Sequence, residues 1–314
     1  MKLRRLCIVL GDQLDPASAV FDDFDPEQDA LWMAEVREEA THVWSHRARI
    51  ALFLSAMRHY AEAQRAAGRT VHYRRLGEHA AASLGEALAA DLARLDPAEV
   101  VWVEPGDFRV AESLRSLVAR EVRPWTLLPD RHFLVATPDF QRWAAGRKEL
   151  RMEHFYRWMR QRRGVLMRDG KPVGGRWNFD EDNREAFDAR GPGLLPAPLG
   201  FTPDALTREV LAEVAAAYPD HPGELAHFDW PVTPADAEAA LEDFIRRRLP
   251  EFGRYQDAMW QGEPWLYHAR LAAAMNLKLI APARVIEAAE QAFRAGHAPL
   301  AAVEGFIRQV LGWR

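Results

Sequence analysis

LCIVLGDQLD, residues 6–15, opens with five apolar residues in a row and then breaks at Gly11-Asp12-Gln13. A short unbroken apolar run closed by a turn signal reads as a strand buried on both faces, because a strand wet on one side alternates instead. The chain around it repeats the theme. ALWMAEV (30–36) precedes a long periodic helix from about 43 to 67, with Ile50, Leu52, Phe53, Met57 and Tyr60 on its apolar face and Gly68 at its C-cap. TVHYRRL (70–76), a helix near 80–95, VVWVEPGD (100–107), a helix near 109–121 and WTLLP (125–129) follow. Strands alternating with helices specify a parallel, doubly wound, Rossmann-like sheet, ending near residue 135.

Composition bounds the rest. The 314 residues suit one large or two ordinary domains, and 48% hydrophobic with 28% charged residues is the balance of a globular protein. The apolar stretches near the N-terminus fall short of the roughly 20 residues a membrane span needs, and Lys2, Arg4 and Arg5 precede a run too short for a signal peptide. A cytoplasmic, monomeric protein is expected. Cys7 is the one cysteine, so this chain alone builds neither a disulfide framework nor a cysteine-ligated zinc or iron–sulfur site. A net charge of −5 argues against a wholly basic nucleic-acid binder and leaves room for a basic patch. His42 and His46 stand four apart on one helix without an evident third ligand, so no metal site is expected.

Ligands of doubly wound sheets bind beyond the strand carboxyl ends, near a switch in strand order. The loops there are GDQLD, EVREE and EPGD, which match neither G-x-G-x-x-G nor a P-loop. A pyrophosphate is a poor fit. Asp12, Glu39 and Glu104 either accept hydrogen bonds from a neutral heterocycle or are solvated acids and helix N-terminal charges.

Residues 142–176 hold eleven Lys or Arg against three Asp or Glu, interleaved with Trp143, Phe155, Tyr156 and Trp158. This is either a nucleic-acid backbone and stacking surface or a solvated helix face over an aromatic stripe. From residue 190 a Pro/Gly-rich linker leads into helices, with no strand pattern after 135. TPADAEAALEDFIRRRL begins like a capping box, and Pro282 opens RVIEAAEQAFRAG. VEGFIRQVLGWR (303–314) is an amphipathic helix with no stop signal after Trp313–Arg314; only if the chain is an inactive remnant would its apolar face lack a partner.

LGDQLD, EPGDFRV, WAAGRK, GGRWNFDEDNR, YQDAM and AVEGFIRQVLGWR, in this order, resemble the deoxyribodipyrimidine photolyase-related family of iron–sulfur bacterial cryptochromes and (6-4) photolyases. The resemblance runs end to end. It implies an α/β antenna domain (1–135), a basic interdomain segment and linker (136–200) and the first part of a helical FAD-binding domain (201–314). It also implies that the helix continues past Arg314 and that the chain is the family's N-terminal portion. The 4Fe-4S cluster cysteines and the electron path would lie beyond it, leaving the 314 residues inactive as a lyase alone.

The same resemblance implies site residues. The antenna chromophore, a 6,7-dimethyl-8-ribityllumazine, would contact Asp12, Gln13, Glu39, Glu104 and Gly106. FAD would contact Tyr255, His268, Arg270, Leu271 and Asn276, with the diphosphate at a helix start where Ala269 replaces an expected Ser; otherwise this helix is an Ala-rich packing surface. Arg147, Lys148, Arg160 and Arg176 would meet the phosphates of DNA containing pyrimidine photoproducts, while Trp177 packs. The implied activity is light-driven repair of (6-4) photoproducts by an electron from reduced FAD. The alternatives are a blue-light photoreceptor without repair and an inactive antenna-domain remnant.

Overall fold

The strand β1 (Arg5–Ile8) lies at the middle of a five-stranded sheet of order β3-β2-β1-β4-β5, with β2 Asp29–Ala34, β3 Thr70–Arg74, β4 Glu99–Val103 and β5 Trp125–Leu128. All its pairings are parallel. The structure is a computed structural model that describes residues 3–121, 123–195 and 197–313. Both faces of β1 are buried, as its unbroken apolar run requires. Leu6, Ile8 and Leu10 join Trp32, Trp102, Leu88, Leu92 and Leu114 in one core layer, while Cys7, Val9, Leu31 and Met33 are buried on the opposite face.

Helices α1 (Arg37–Thr41), α2 (Arg47–Ala66), α3 (Leu84–Leu95) and α4 (Phe108–Arg120) connect the strands. The buried Asp91 carboxylate is paired several times over. The Trp32 indole donates to Asp91 Oδ2 at 2.8 Å, and Arg74 and Arg94 also bond that carboxylate. His46 accepts from Ala48 N at 3.1 Å and so caps α2, while His42 Nδ1 lies 3.2 Å from Glu38 O. Among the described residues no group of three or more His, Cys, Asp or Glu suits a metal ion.

The helical stretch does not divide as expected at residue 201. Gly200–Thr233 and Asn276–Leu279 pack with the sheet, in one compact unit with the chain up to Arg131. The reason is the buried Arg58 of α2. It holds Glu35 in a two-pronged pair (2.7 and 2.9 Å) and also Glu213 of α7 (Ala205–Ala217), which ties α7 to the sheet unit.

The second unit comprises His132–Leu199, Pro234–Met275 and Ile280–Arg314. It contains α5 (Thr137–Ala144), α6 (Met152–Arg163), α8 (Pro234–Arg247), α9 (Leu249–Tyr255), α11 (Pro282–Arg294) and α12 (Leu300–Leu311). The intervening α10 (Ala272–Asn276) crosses from this unit into the sheet unit. A two-residue hairpin, β6 Met167–Arg168 with β7 Lys171–Pro172, is a strand pairing after residue 135 that the sequence pattern did not disclose, because two residues show no alternation.

The terminal helix is packed within its own unit. Val303, Phe306, Ile307, Val310 and Leu311 are buried, with the Phe306 ring 4.6 Å from that of Phe244 and 5.5 Å from that of Phe252. The apolar face therefore has a partner. The helix stops at Leu311, and Gly312 N–H caps it on Arg308 O at 3.1 Å. Arg314, past which continuation was expected, lies outside the described residues.

Candidate functional site

The strand order reverses between β1 and β4, so the loops leaving these two strands flank the switch point. Gln13 ties them together. It is 4% exposed, and its Nε2 donates to Val103 O and Glu104 O, both at 3.2 Å. Two carbonyl partners fix the orientation of the amide, leaving Oε1 buried without a hydrogen-bond partner. Leaving such an acceptor unpaired costs about 1–3 kcal/mol.

Asp12 stands beside it, half-buried. Burial pushes its carboxyl above the usual range, opposed by the attraction of Lys278. Gly106 faces Asp12: a Cβ there would first meet Asp12 Oδ2, at 3.9 Å, an ordinary contact. Glu104 is half-buried and its N–H bonds Leu128 O at 2.9 Å.

Glu39 is differently placed from what the sequence suggested. Arg109 Nη2 bonds both its carboxylate oxygens, at 2.8 and 2.9 Å, so a cation already occupies the acceptor expected to face a heterocycle. The pair joins α1 to the start of α4. Asp12, Gln13, Glu104 and Gly106 are thus gathered at the switch point, with Glu39 behind Arg109.

Three members of this site escaped the sequence reading: Arg109, Asp130 and Lys278. Lys278 is 6% exposed and its Nζ lies 2.7 Å from Asp130 Oδ2. A single charge inside the apolar run MNLKLIAP was the available signal, since lysine is almost never fully buried unless paired.

In the helical unit, Tyr255 ends α9 and stacks on Phe187 (ring centroids 4.5 Å apart) and Tyr267 (5.3 Å), with the Arg254 guanidinium 5.0 Å from its ring. The Arg270 guanidinium lies 4.0 Å over Trp265, His268 is exposed, and Leu271 is buried. Asn276 belongs to the sheet unit, so the five expected flavin contacts are not brought into one unit. The helix expected to cradle a diphosphate is the five-residue α10, too short to sum the peptide dipoles that such a cradle uses. Leu271 packs in the core instead.

The basic segment separates into exposed and structural charges. Arg147 and Lys148 are exposed, with Arg147 stacked 4.5 Å over the Trp143 ring. Arg176 is exposed, pairs with Asp182 and stacks 4.4 Å over Phe179. Arg160 must be withdrawn as a phosphate contact. It is 0% exposed and donates to Leu166 O (2.7 Å), Trp177 O (2.9 Å) and Val165 O (3.2 Å). Its guanidinium also lies 5.4 Å from the half-buried Trp177 ring, which packs inside this cluster.

A family model described as "Deoxyribodipyrimidine photo-lyase-related protein" matches residues 7–230. The chain is 43% identical over 314 residues to a protein of Agrobacterium fabrum (strain C58 / ATCC 33970) named "(6-4) photolyase", covering 99% of this chain and 61% of that relative's length. A crystal structure of a bacterial class III photolyase from Agrobacterium tumefaciens superposes with a TM-score of 0.57 at 14% identity, over 99% of this chain and 57% of the other. That likeness concerns the fold. Among the described residues no helix is long and apolar enough to cross a membrane.

Proposed function

The chain belongs to the deoxyribodipyrimidine photolyase-related family, and on that premise we propose that it serves a flavoprotein that repairs pyrimidine (6-4) photoproducts in DNA with light. The observation that carries this reading is the 43% identity to a protein named (6-4) photolyase over the length of the chain. The switch-point residues support a second, antenna chromophore. Gln13 Oε1 is a buried acceptor in want of a donor beside Asp12 and Gly106, and it would take one from a heterocycle N–H, a lumazine in our reading.

When bound, reduced FAD supplies the electron that opens the photoproduct, and the antenna supplies excitation energy. The residues of this chain bind and orient. Tyr255 with Phe187 and Tyr267 presents near-parallel rings, and His268 and Arg270 stand within the same segment. Arg147, Lys148 and Arg176 present exposed cations to the phosphates of a damaged duplex, whose lesion must leave the stack to be reached. A 4Fe-4S cluster does not fit these residues, because Cys7 is the sole cysteine and lies buried in β1.

The test is the absorption spectrum of the purified chain, with acid-released chromophores identified, followed by illumination with an oligonucleotide holding one (6-4) photoproduct and a reductant. Flavin together with light-dependent loss of the photoproduct is expected. A protein with flavin that photoreduces but leaves the lesion intact would be a sensor, and one without flavin would overturn the repair reading for this chain.

A further inference from the structure

We infer that Trp143 is a positioning residue that holds the Arg147 guanidinium as a fixed fork for one phosphodiester of a nucleic-acid strand. The inference rests on the DNA-binding reading above and deepens it. It says which exposed cation grips a phosphate by its geometry, and what sets that geometry.

Charge alone does not single out Arg147, because its segment is crowded with arginines. Most of them are already neutralised or buried. Arg142 and Arg162 pair with Asp139, Arg151 with Glu149, Arg157 with Glu153 and Arg176 with Asp182. Arg160 is spent on three buried carbonyls. Arg147 is exposed, and among the described residues no carboxylate pairs with it.

Geometry does single it out. Trp143 lies in the last turn of α5, where a helix leaves its carbonyls without an internal partner. Arg147 N–H, which would bond Trp143 O if the helix went on, bonds Ala144 O instead, at 3.2 Å. Gly146, at φ +73°, supplies the left-handed turn that brings residue 147 back over the helix end. Arg147 Nε–H then donates to Trp143 O at 2.7 Å, and its guanidinium lies 4.5 Å from the centroid of the Trp143 ring. That ring is itself fixed by packing. It is 7% exposed, with Phe155, Phe140 and Trp158 at centroid distances of 5.0, 5.7 and 6.2 Å.

A guanidinium carries five N–H donors in one plane. The carbonyl takes the Nε–H and the indole holds the plane by cation–π stacking. Nη1 and Nη2 keep their donors, with no acceptor among the described residues. Parallel N–H groups match two oxygens of one phosphate, and a side chain ordered beforehand loses little freedom on binding. Lys148, exposed beside it, is a point charge on a flexible stem that adds attraction without direction. A fixed fork within a basic segment suits a polyanion whose phosphates recur along a strand. The competing account is that Arg147 only caps α5. A lysine would then serve as well, and DNA binding would not depend on the indole.

The experiment measures binding of the 314-residue chain to a fluorescein-labelled duplex by anisotropy across a salt series, with and without one (6-4) photoproduct. Arg147→Lys and Trp143→Leu both keep the charge, so the salt slope should stay at its wild-type value. Affinity should nonetheless fall about tenfold in each, equally on the damaged and the intact duplex. The double variant should fall no further than either single one, because the two residues act as a unit. Trp143→Phe, which keeps an aromatic face, should recover part of the loss. Arg151→Lys, at an arginine already paired with Glu149, is the control and should bind like wild type. Wild-type affinity in Arg147→Lys overturns the inference, and so do losses that add in the double variant, the signature of a merely structural Trp143. If Trp143→Leu fails to fold, Trp143→Phe alone and with Arg147→Lys completes the same cycle. Those outcomes leave the DNA-binding reading intact, whereas a wild-type chain that binds neither duplex overturns both.

Discussion

Gly253 lies in α9 where that helix meets α12, and replacing it with Ala tests how the helical unit is held together. In an exposed helix interior the change would stabilise by about 1 kcal/mol, because Ala loses less backbone freedom than Gly. Here a Cβ would stand 2.5 Å from Ala302 Cα, 2.6 Å from Asn183 Oδ1 and 2.9 Å from Ala302 N. Carbon atoms in good contact sit about 3.5–4.0 Å apart, so the helices must separate by roughly 1 Å. The obstacle is the backbone of a packed helix, not the flexible end of a side chain, so it cannot turn aside. Asn183 Nδ2 bonds Ala301 O at 2.9 Å and would be pushed off the same surface. Overpacking of this kind costs about 1–3 kcal/mol and, where a helix interface must open, the upper part of that range. Net of the propensity gain we expect a loss of about 2 kcal/mol, a shift of roughly 30-fold in the unfolding equilibrium. Urea denaturation followed by tryptophan fluorescence measures it. Gly85→Ala in α3 is the control: its Cβ would meet Ser113 Oγ at 3.4 Å, an ordinary contact, so the same substitution should be neutral or stabilising there. If Gly253→Ala matches Gly85→Ala, the close approach of α9 and α12 is not what the distances say, and the reasoning fails.

The buried and exposed arginines should answer differently to substitution. Arg160→Met removes the guanidinium from three carbonyls, of which Leu166 O keeps the Val173 N–H at 2.8 Å, and should cost about 2 kcal/mol of stability, whereas Arg147→Gln with Lys148→Gln should leave the melting temperature unchanged and, on the repair reading, flatten the salt dependence of DNA binding by about 0.9 for each phosphate no longer neutralised. The raised carboxyl of Asp12 implies stability that is full below its ordinary value of 3.8 and lost as pH rises through its folded value; denaturation midpoints across acidic pH should show this slope in wild type and not in Asp12→Asn. Burial pushes the Cys7 thiol up to about 12, so the native protein at pH 8 should resist a thiol reagent that modifies it at once in urea; rapid native labelling would contradict its place in β1.

Legibility in the sequence followed the range of the interactions. The five strands of the sheet and the helices between them were visible because each rests on local periodicity, as the LCIVL run and the face of α2 show. Of the candidate site, Asp12 and Glu104 were legible because strand-end loops are placed by the fold class itself, whereas Gln13 and Gly106 came only from the family resemblance. Arg160 looked like a surface cation because composition reports charge and not exposure. The aromatic residues around it signalled a core as much as a stacking surface, and three backbone carbonyls settled the matter. Glu39 looked like an open acceptor because Arg109 stands 70 positions away.

The sequence by itself determined a doubly wound parallel sheet followed by helices, and it determined which loops face the crevice. Both follow from side-chain periodicity and from the handed, short-range geometry of strand–helix–strand connections. Only the tertiary structure decided which stretch belongs to which unit, that the final helix buries its apolar face, and that a lysine from residues 276–279 enters the sheet unit. Those outcomes depend on pairings across more than a hundred residues. Arg58 with Glu213 and Lys278 with Asp130 leave no periodic trace, because a single long-range contact imposes no pattern on the sequence around it.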